Sequence, residues 1–122
     1  MTWEKTPPEL IEFLDKTMLP FACSKRPMFG SIAYFVNHNM FIGALGDNII
    51  LRLSEKDRKE ILTTYDEVAS FEPMPGRVMK EYVTLPESVY GNIEHFRKWL
   101  NRSYRYAESL KPKVPKQRKR RR

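Results

Sequence analysis

The stretch FEPMPGRVMKEY, residues 71–82, decides the fold. Pro73, Pro75, Gly76 and Arg77 crowd into it between two strand-like runs. Each proline lacks a backbone donor and has a fixed φ, so neither fits a central strand. Gly76 supplies the positive φ that a tight turn requires. Phe71-Glu72 precedes the block and residues 79–85 follow it as strand candidates. The block therefore reads as a rigid corner made by Pro73, Pro75 and Gly76. It delivers Arg77, Lys80 and Glu81 to defined places.

Upstream of the corner the pattern is strand, turn, strand. Residues 31–36 and 40–45 are apolar runs joined by Asn37-His38-Asn39. Asparagine tolerates left-handed backbone angles, so this is a predicted hairpin. Gly46-Asp47-Asn48 marks a second turn, and residues 49–53 form a third strand. Ile49, Leu51 and Leu53 alternate to one face, Ile50 and Arg52 to the other. Three strands joined by short turns make an antiparallel meander.

Helices flank these strands. Thr6-Pro7-Pro8-Glu9 reads as a helix start, with Thr6 as cap, Pro7 at the first helical position and Glu9 closing a capping box. Leu10, Phe13, Leu14, Thr17 and Met18 then share a face, and Pro20 ends the helix. The residues up to Pro27 read as a connection. Ser54 caps a short second helix that ends near Leu62. Pro86-Glu87 opens a brief helical turn. Asn92 caps the longest helix, with Ile93, Phe96, Leu100, Ser103, Ala107 and Leu110 as its apolar stripe and Trp99 at the edge. Pro112 and Pro115 rule out a continuous helix beyond Leu110. The expectation is an α+β domain of two layers, a mostly antiparallel sheet of about five strands packed with helices.

The wording of the corner, MPGRVMKEY, together with Met28-Phe29-Gly30 and the paired strands of residues 34–45, is similar to the N-terminal domain of the TfoX/Sxy family. The resemblance implies that family's α+β fold. The order of elements also looks like the broader group of folds that includes type III secretion chaperones. Competence-regulating members carry a second, helical domain. Here a basic tail stands in its place, so the resemblance is to a single-domain member. It implies a fold more firmly than an activity.

Composition divides the chain in the same way. The formal net charge is +7, but residues 111–122 hold eight basic residues and no acid. The other 110 residues carry 14 basic and 15 acidic side chains, a net of −1. We therefore read residues 1–110 as the domain and 111–122 as a disordered basic tail. Lys111, Lys113, Lys116, Arg118, Lys119, Arg120, Arg121 and Arg122 suit DNA or RNA phosphates, bound without base reading. The plain alternative is a solvated terminus. Tyr104 and Tyr106 lie just upstream, on the last helix.

Other chemistry is sparse. Cys23 is the only cysteine, so no intrachain disulfide forms, and a cytoplasmic location is the default. The amino terminus has no basic-then-apolar secretory pattern, and no apolar run is long enough for a membrane span. His38 falls in the predicted hairpin turn and His95 on the long helix, without partners at metal-ligand spacing. No nucleophile elbow, phosphate-cradling loop or zinc-helix motif is present. We expect no metal, no cofactor and no enzyme activity.

Two constellations have more than one reading. Met79, Glu81 and Val83 are expected on one strand face, so Glu81 needs a partner among apolar neighbours. Arg52 interrupts its strand similarly. The structural reading is a cross-strand ion pair. The functional alternative is an anion site near Arg52, Arg77, Lys80 and Glu81, serving a small enzyme or ligand-binding protein. Met28, Met40, Met74 and Met79, with Phe29, Phe41 and Phe71, form an adaptable apolar set, read as core or as a surface for a protein partner or a second copy.

Overall fold

The structure, a computed structural model, describes residues 5–28 and 30–111. The elements in chain order are α1 (Pro8–Thr17), β1 (Ser24–Met28), β2 (Ser31–Val36), β3 (Asn39–Leu45), β4 (Asn48–Arg52), α2 (Glu55–Thr64), β5 (Ala69–Met74), β6 (Arg77–Leu85), α3 (Glu87–Tyr90) and α4 (Ile93–Ser109). The strands form one open antiparallel sheet in the order β1-β2-β3-β4-β6-β5. The fold is α+β, with six strands rather than about five.

The additional strand is β1, which occupies part of the expected connection. Four of its five residues are exposed, so it carries no apolar alternation to read. Its order comes from pairing with β2, from Ser24 opposite Phe35 to Met28 opposite Ser31. β1 and β5 are the two edges, and each contains a proline, Pro27 and Pro73. Edge strands tolerate the missing donor where central ones do not.

Capping follows the sequence at two helices and departs from it at a third. The Ser54 hydroxyl accepts from the Asp57 amide, and the Asn92 side chain accepts from the His95 amide. Thr6 does not cap α1. The N-cap is Pro7, with no side-chain cap bond, and the Thr6 hydroxyl instead accepts from Ser31 Oγ at 2.7 Å. The hydroxyl is used to fasten the chain to β2.

One face of the sheet carries the helices and the main core. Leu10 and Leu14 of α1, Ile61 of α2, Val89 of α3 and Phe96, Trp99 and Leu100 of α4 pack there against Ile42, Ile49, Leu51, Val83 and Leu85. Trp99 is not at the edge of its stripe: it is 1% exposed, whereas Ile93 is 38% exposed. Burying one such large side chain contributes about 2–3 kcal/mol.

The other face carries a smaller cluster. Ala33, Met40, Ile50 and Phe71 are its buried members, with Met28, Phe35, Leu45, Met79 and Tyr82 packed against them. Among the described residues, no helix side chain belongs to it. A bulge separates the faces within β3. Tyr34 pairs with Ile42, but Phe35 pairs with Met40, so Phe41 is one residue extra. Phe41 and Ile42 consequently both join the helix-side core, while Met40 joins the other cluster.

The Met and Phe set divides accordingly. Phe41 is helix-side core; Met28, Met40, Met79 and Phe71 belong to the second cluster; Met74 is 50% exposed. Phe29 lies outside the described residues.

Candidate functional site

The proline corner shapes the region where the charged residues gather. Gly76 has φ +82°, and its amide donates to Glu72 Oε2 at 2.6 Å. Pro73 sits in edge strand β5, between the pairs Phe71–Met79 and Met74–Arg77, where the register shifts. A larger shift lies between Ser70 opposite Val83 and Phe71 opposite Met79. Lys80, Glu81 and Tyr82 have no counterpart in β5 across this shift. β6 nevertheless stays paired with β4 there, as Arg52 lies opposite Tyr82.

This break overturns the expected alternation. Met79 and Tyr82, three positions apart, pack against the second cluster, whereas Val83 belongs to the helix-side core. Met79, Glu81 and Val83 therefore do not share a regular face. The cause is the unmatched length of β6, which resets the period of two.

Glu81 sits at the break and is fully engaged. Its Oε1 accepts from Arg52 Nε at 2.7 Å and lies 2.6 Å from Arg52 Nη2. Its Oε2 accepts from the Tyr106 hydroxyl at 2.9 Å. The Arg52 guanidinium also lies 5.4 Å from the Tyr82 ring centre and 6.0 Å from that of Tyr106. The Met40 carbonyl accepts from Tyr82 Oη at 3.1 Å and from Arg52 Nη1 at 3.5 Å. The carboxylate thus links β6 to β4 and α4, and Arg52 and Tyr82 extend the network to β3.

The electrostatics match this geometry. Burial pushes the Glu81 carboxyl up, but hydrogen bonds from Arg52 and Tyr106 and the charges of Arg52 and Arg58 outweigh it, holding the group below its ordinary value. Burial and the Glu81 carboxylate both raise the Tyr106 phenol. Arg58, whose Nη1 donates to the Leu53 carbonyl at 2.6 Å, was not a sequence candidate. Only the fold brings its charge to Glu81.

Arg77 and Lys80 do not join this network. Both are exposed on β6, and neither forms an ion pair among the described residues. The expected four-residue grouping is therefore a closed Arg52–Glu81 pair plus two separate surface cations. The pair occupies donors that a ligand anion would need. Among the described residues, no buried side-chain nitrogen or oxygen lacks a hydrogen-bond partner.

Residues 20–107 match the family model described as the TfoX N-terminal domain. The chain belongs to the TfoX N-terminal domain family. No curated protein and no solved structure matched the chain.

In this TfoX N-terminal domain the remaining candidates are scattered. Cys23 packs at the rim of the main core, and burial pushes its thiol up. His95 lies exposed near the start of α4, its ring centre 6.3 Å from that of Tyr65. Among the described residues, no three His, Cys, Asp or Glu groups converge to hold a metal ion, and no helix is long and apolar enough to cross a membrane. The basic residues from Lys113 to Arg122 lie outside the described residues; Lys111 is the last one described.

Two polar arrangements escape sequence reading. Asp15 of α1 accepts from the Tyr34 hydroxyl and from Lys25 Nζ, the latter at 3.0 Å. The Tyr34 bond chiefly lowers the Asp15 carboxyl, assisted by Lys25 against burial. Arg102 of α4 reaches Asp57 at 3.4 Å and Glu60 at 3.0 Å on α2, with its guanidinium 4.7 Å from the Trp99 ring centre. Both join residues far apart in sequence.

Proposed function

We propose that this protein is a non-catalytic binding domain of the cytoplasm. Its folded part serves a protein partner or a second copy, in a regulatory or adaptor capacity. Its basic C-terminal segment holds nucleic-acid phosphates without reading sequence. The charge partition carries this reading: eight cations in residues 111–122 against a net of −1 over the preceding 110 residues. Cations at that density gain affinity by releasing counterions from the phosphate backbone. The non-catalytic part rests on the motif content, which offers no nucleophile–base pair. A reproducible hydrolase activity lost in Glu81→Gln, with the fold intact, would overturn that part.

The test is a salt titration on random-sequence duplex DNA. If about five cations each neutralise a phosphate, log affinity falls against log salt with a slope of about −4.5. That is a loss of roughly 500-fold between about 50 and about 200 mM salt. Different duplex sequences should bind alike. Removal of residues 112–122 should abolish the binding. A truncated protein that binds as well as the full chain would sink the reading.

A further inference from the structure

The β2–β3 turn holds a residue that its backbone does not favour. Asn37 and His38 have φ values of +53° and +65°. With Val36 opposite Asn39, they form a two-residue turn with left-handed angles at both positions. Asparagine suits the first position, while glycine is the common choice for the second. A histidine there pays a conformational cost that glycine would avoid.

The neighbours of His38 have evident structural work. Asn37 Nδ2 donates to the Glu108 carbonyl at 3.2 Å, and Asn39 Nδ2 donates to the Lys111 carbonyl at 3.3 Å. The two asparagines fasten the end of α4 and the root of the basic segment to the hairpin. His38 lies between them, exposed. Its described polar contact is with Arg26 of β1, whose Nη2 is 3.4 Å from His38 Nδ1.

Arg26 is itself held in place. Its guanidinium lies 4.9 Å from the Phe35 ring centre. Among the described residues, neither Arg26 nor His38 has a carboxylate partner. Lys25, the adjacent residue, differs: it is paired with Asp15 at 3.0 Å. With Arg26 donating to Nδ1, a neutral His38 ring carries its proton on Nε2. Arg26 and His38 then present N–H donors without a neutralising acid, beside the point where the basic segment begins. That donor set matches the acceptor oxygens of a phosphodiester.

We propose that Arg26 and His38 form a phosphate seat at the root of the basic segment. Through it, a nucleic-acid backbone held by that segment continues onto the folded domain. The inference rests on the nucleic-acid reading above and gives it a fixed point. The seat accepts backbone phosphate and reads no base. The unfavoured histidine is retained for its ring N–H, at the expense of turn stability.

The test uses the full chain and a random-sequence duplex, with affinity measured across a salt series and thermal midpoints recorded in parallel. Arg26→Gln should weaken binding about tenfold at low salt and flatten the salt slope by about one. His38→Gly should weaken binding about threefold while raising the thermal midpoint. Opposite movement of affinity and stability cannot come from unfolding. Lys25→Gln should leave affinity near that of the parent chain. If Lys25→Gln weakens binding as much as Arg26→Gln, loss of general charge explains the effect and the seat is wrong. If the full chain binds and both Arg26→Gln and His38→Gly bind equally well, the seat alone is overturned. If the full chain fails to bind even at low salt, the parent reading falls and the seat with it.

Discussion

Met40 and Phe41 are neighbours in one strand, yet they serve opposite sides of the sheet. Phe41 enters a core built by four helices and the sheet, beside Tyr104 at 5.3 Å between ring centres, and its carbonyl accepts from buried Ser103. Met40 enters a cluster of four buried residues to which no described helix contributes. One side is closed by rigid aromatic and branched aliphatic groups from separate elements. The other is closed by the sheet's own methionines and phenylalanines. A cavity on the first side has many fixed neighbours and cannot readily collapse, whereas flexible methionines can refill part of a gap on the second.

The largest expected effect tests that difference directly. Phe41→Ala should destabilise by about 4 kcal/mol and Met40→Ala by about 2 kcal/mol. Urea denaturation of both variants checks this; equal losses would show the two sides to be equally rigid. Next comes the corner at the end of the methionine-rich side. A Cβ at Gly76 meets nothing within 4 Å, so its positive φ is the only obstacle to substitution. Gly76→Val should cost roughly 1–3 kcal/mol. An unchanged denaturation midpoint would mean that the hairpin relaxes freely and is not a rigid corner.

The smallest effect concerns the pair at the boundary between the sides. A double-mutant cycle on Arg52 and Glu81 should give a coupling of about 0.5 kcal/mol or more. It should depend on pH. The folded Glu81 carboxyl lies below its ordinary value of 4.5, so its contribution is fully present above that value. It disappears as pH falls through the lower folded value, when the carboxylate takes up a proton. Acid titrations of stability for the parent and Glu81→Gln should converge at low pH. Curves that stay parallel would assign the pair no role in stability.

The sequence was most legible where structure is local. The Ser54 and Asn92 caps, the reversal expected at Asn37-His38-Asn39 (although Asn39 already belongs to β3) and the positive φ of Gly76 each depend on a few adjacent residues. The turn falls between the right two strands for the same reason, but it consists of Pro75 and Gly76 alone, since Pro73 lies inside edge strand β5. β1 was invisible because its neighbour β2, rather than its own apolar pattern, orders it. Thr6 departs from the expected cap because the chemistry that makes a good cap also makes a good partner for Ser31. Within the candidate site, Arg52 and Glu81 could be singled out as charges among apolar residues. Arg58, Tyr106 and the Met40 carbonyl could not, since the fold brings them from other elements. The unmatched residues of β6 leave no mark on periodicity until its partner strand is known.

The prolines at the two borders of the sheet set a limit on growth. An open sheet is a template: its outermost backbone groups invite another strand, and that strand invites the next. Here each outermost row is short and interrupted, by Pro27 on one side and by Pro73 with its shifted register on the other. A visiting strand would find a broken ladder at either border. Concentrated solutions of the protein should consequently resist fibril formation by strand addition, and replacing Pro73 with a β-branched residue is the change that would reopen that route.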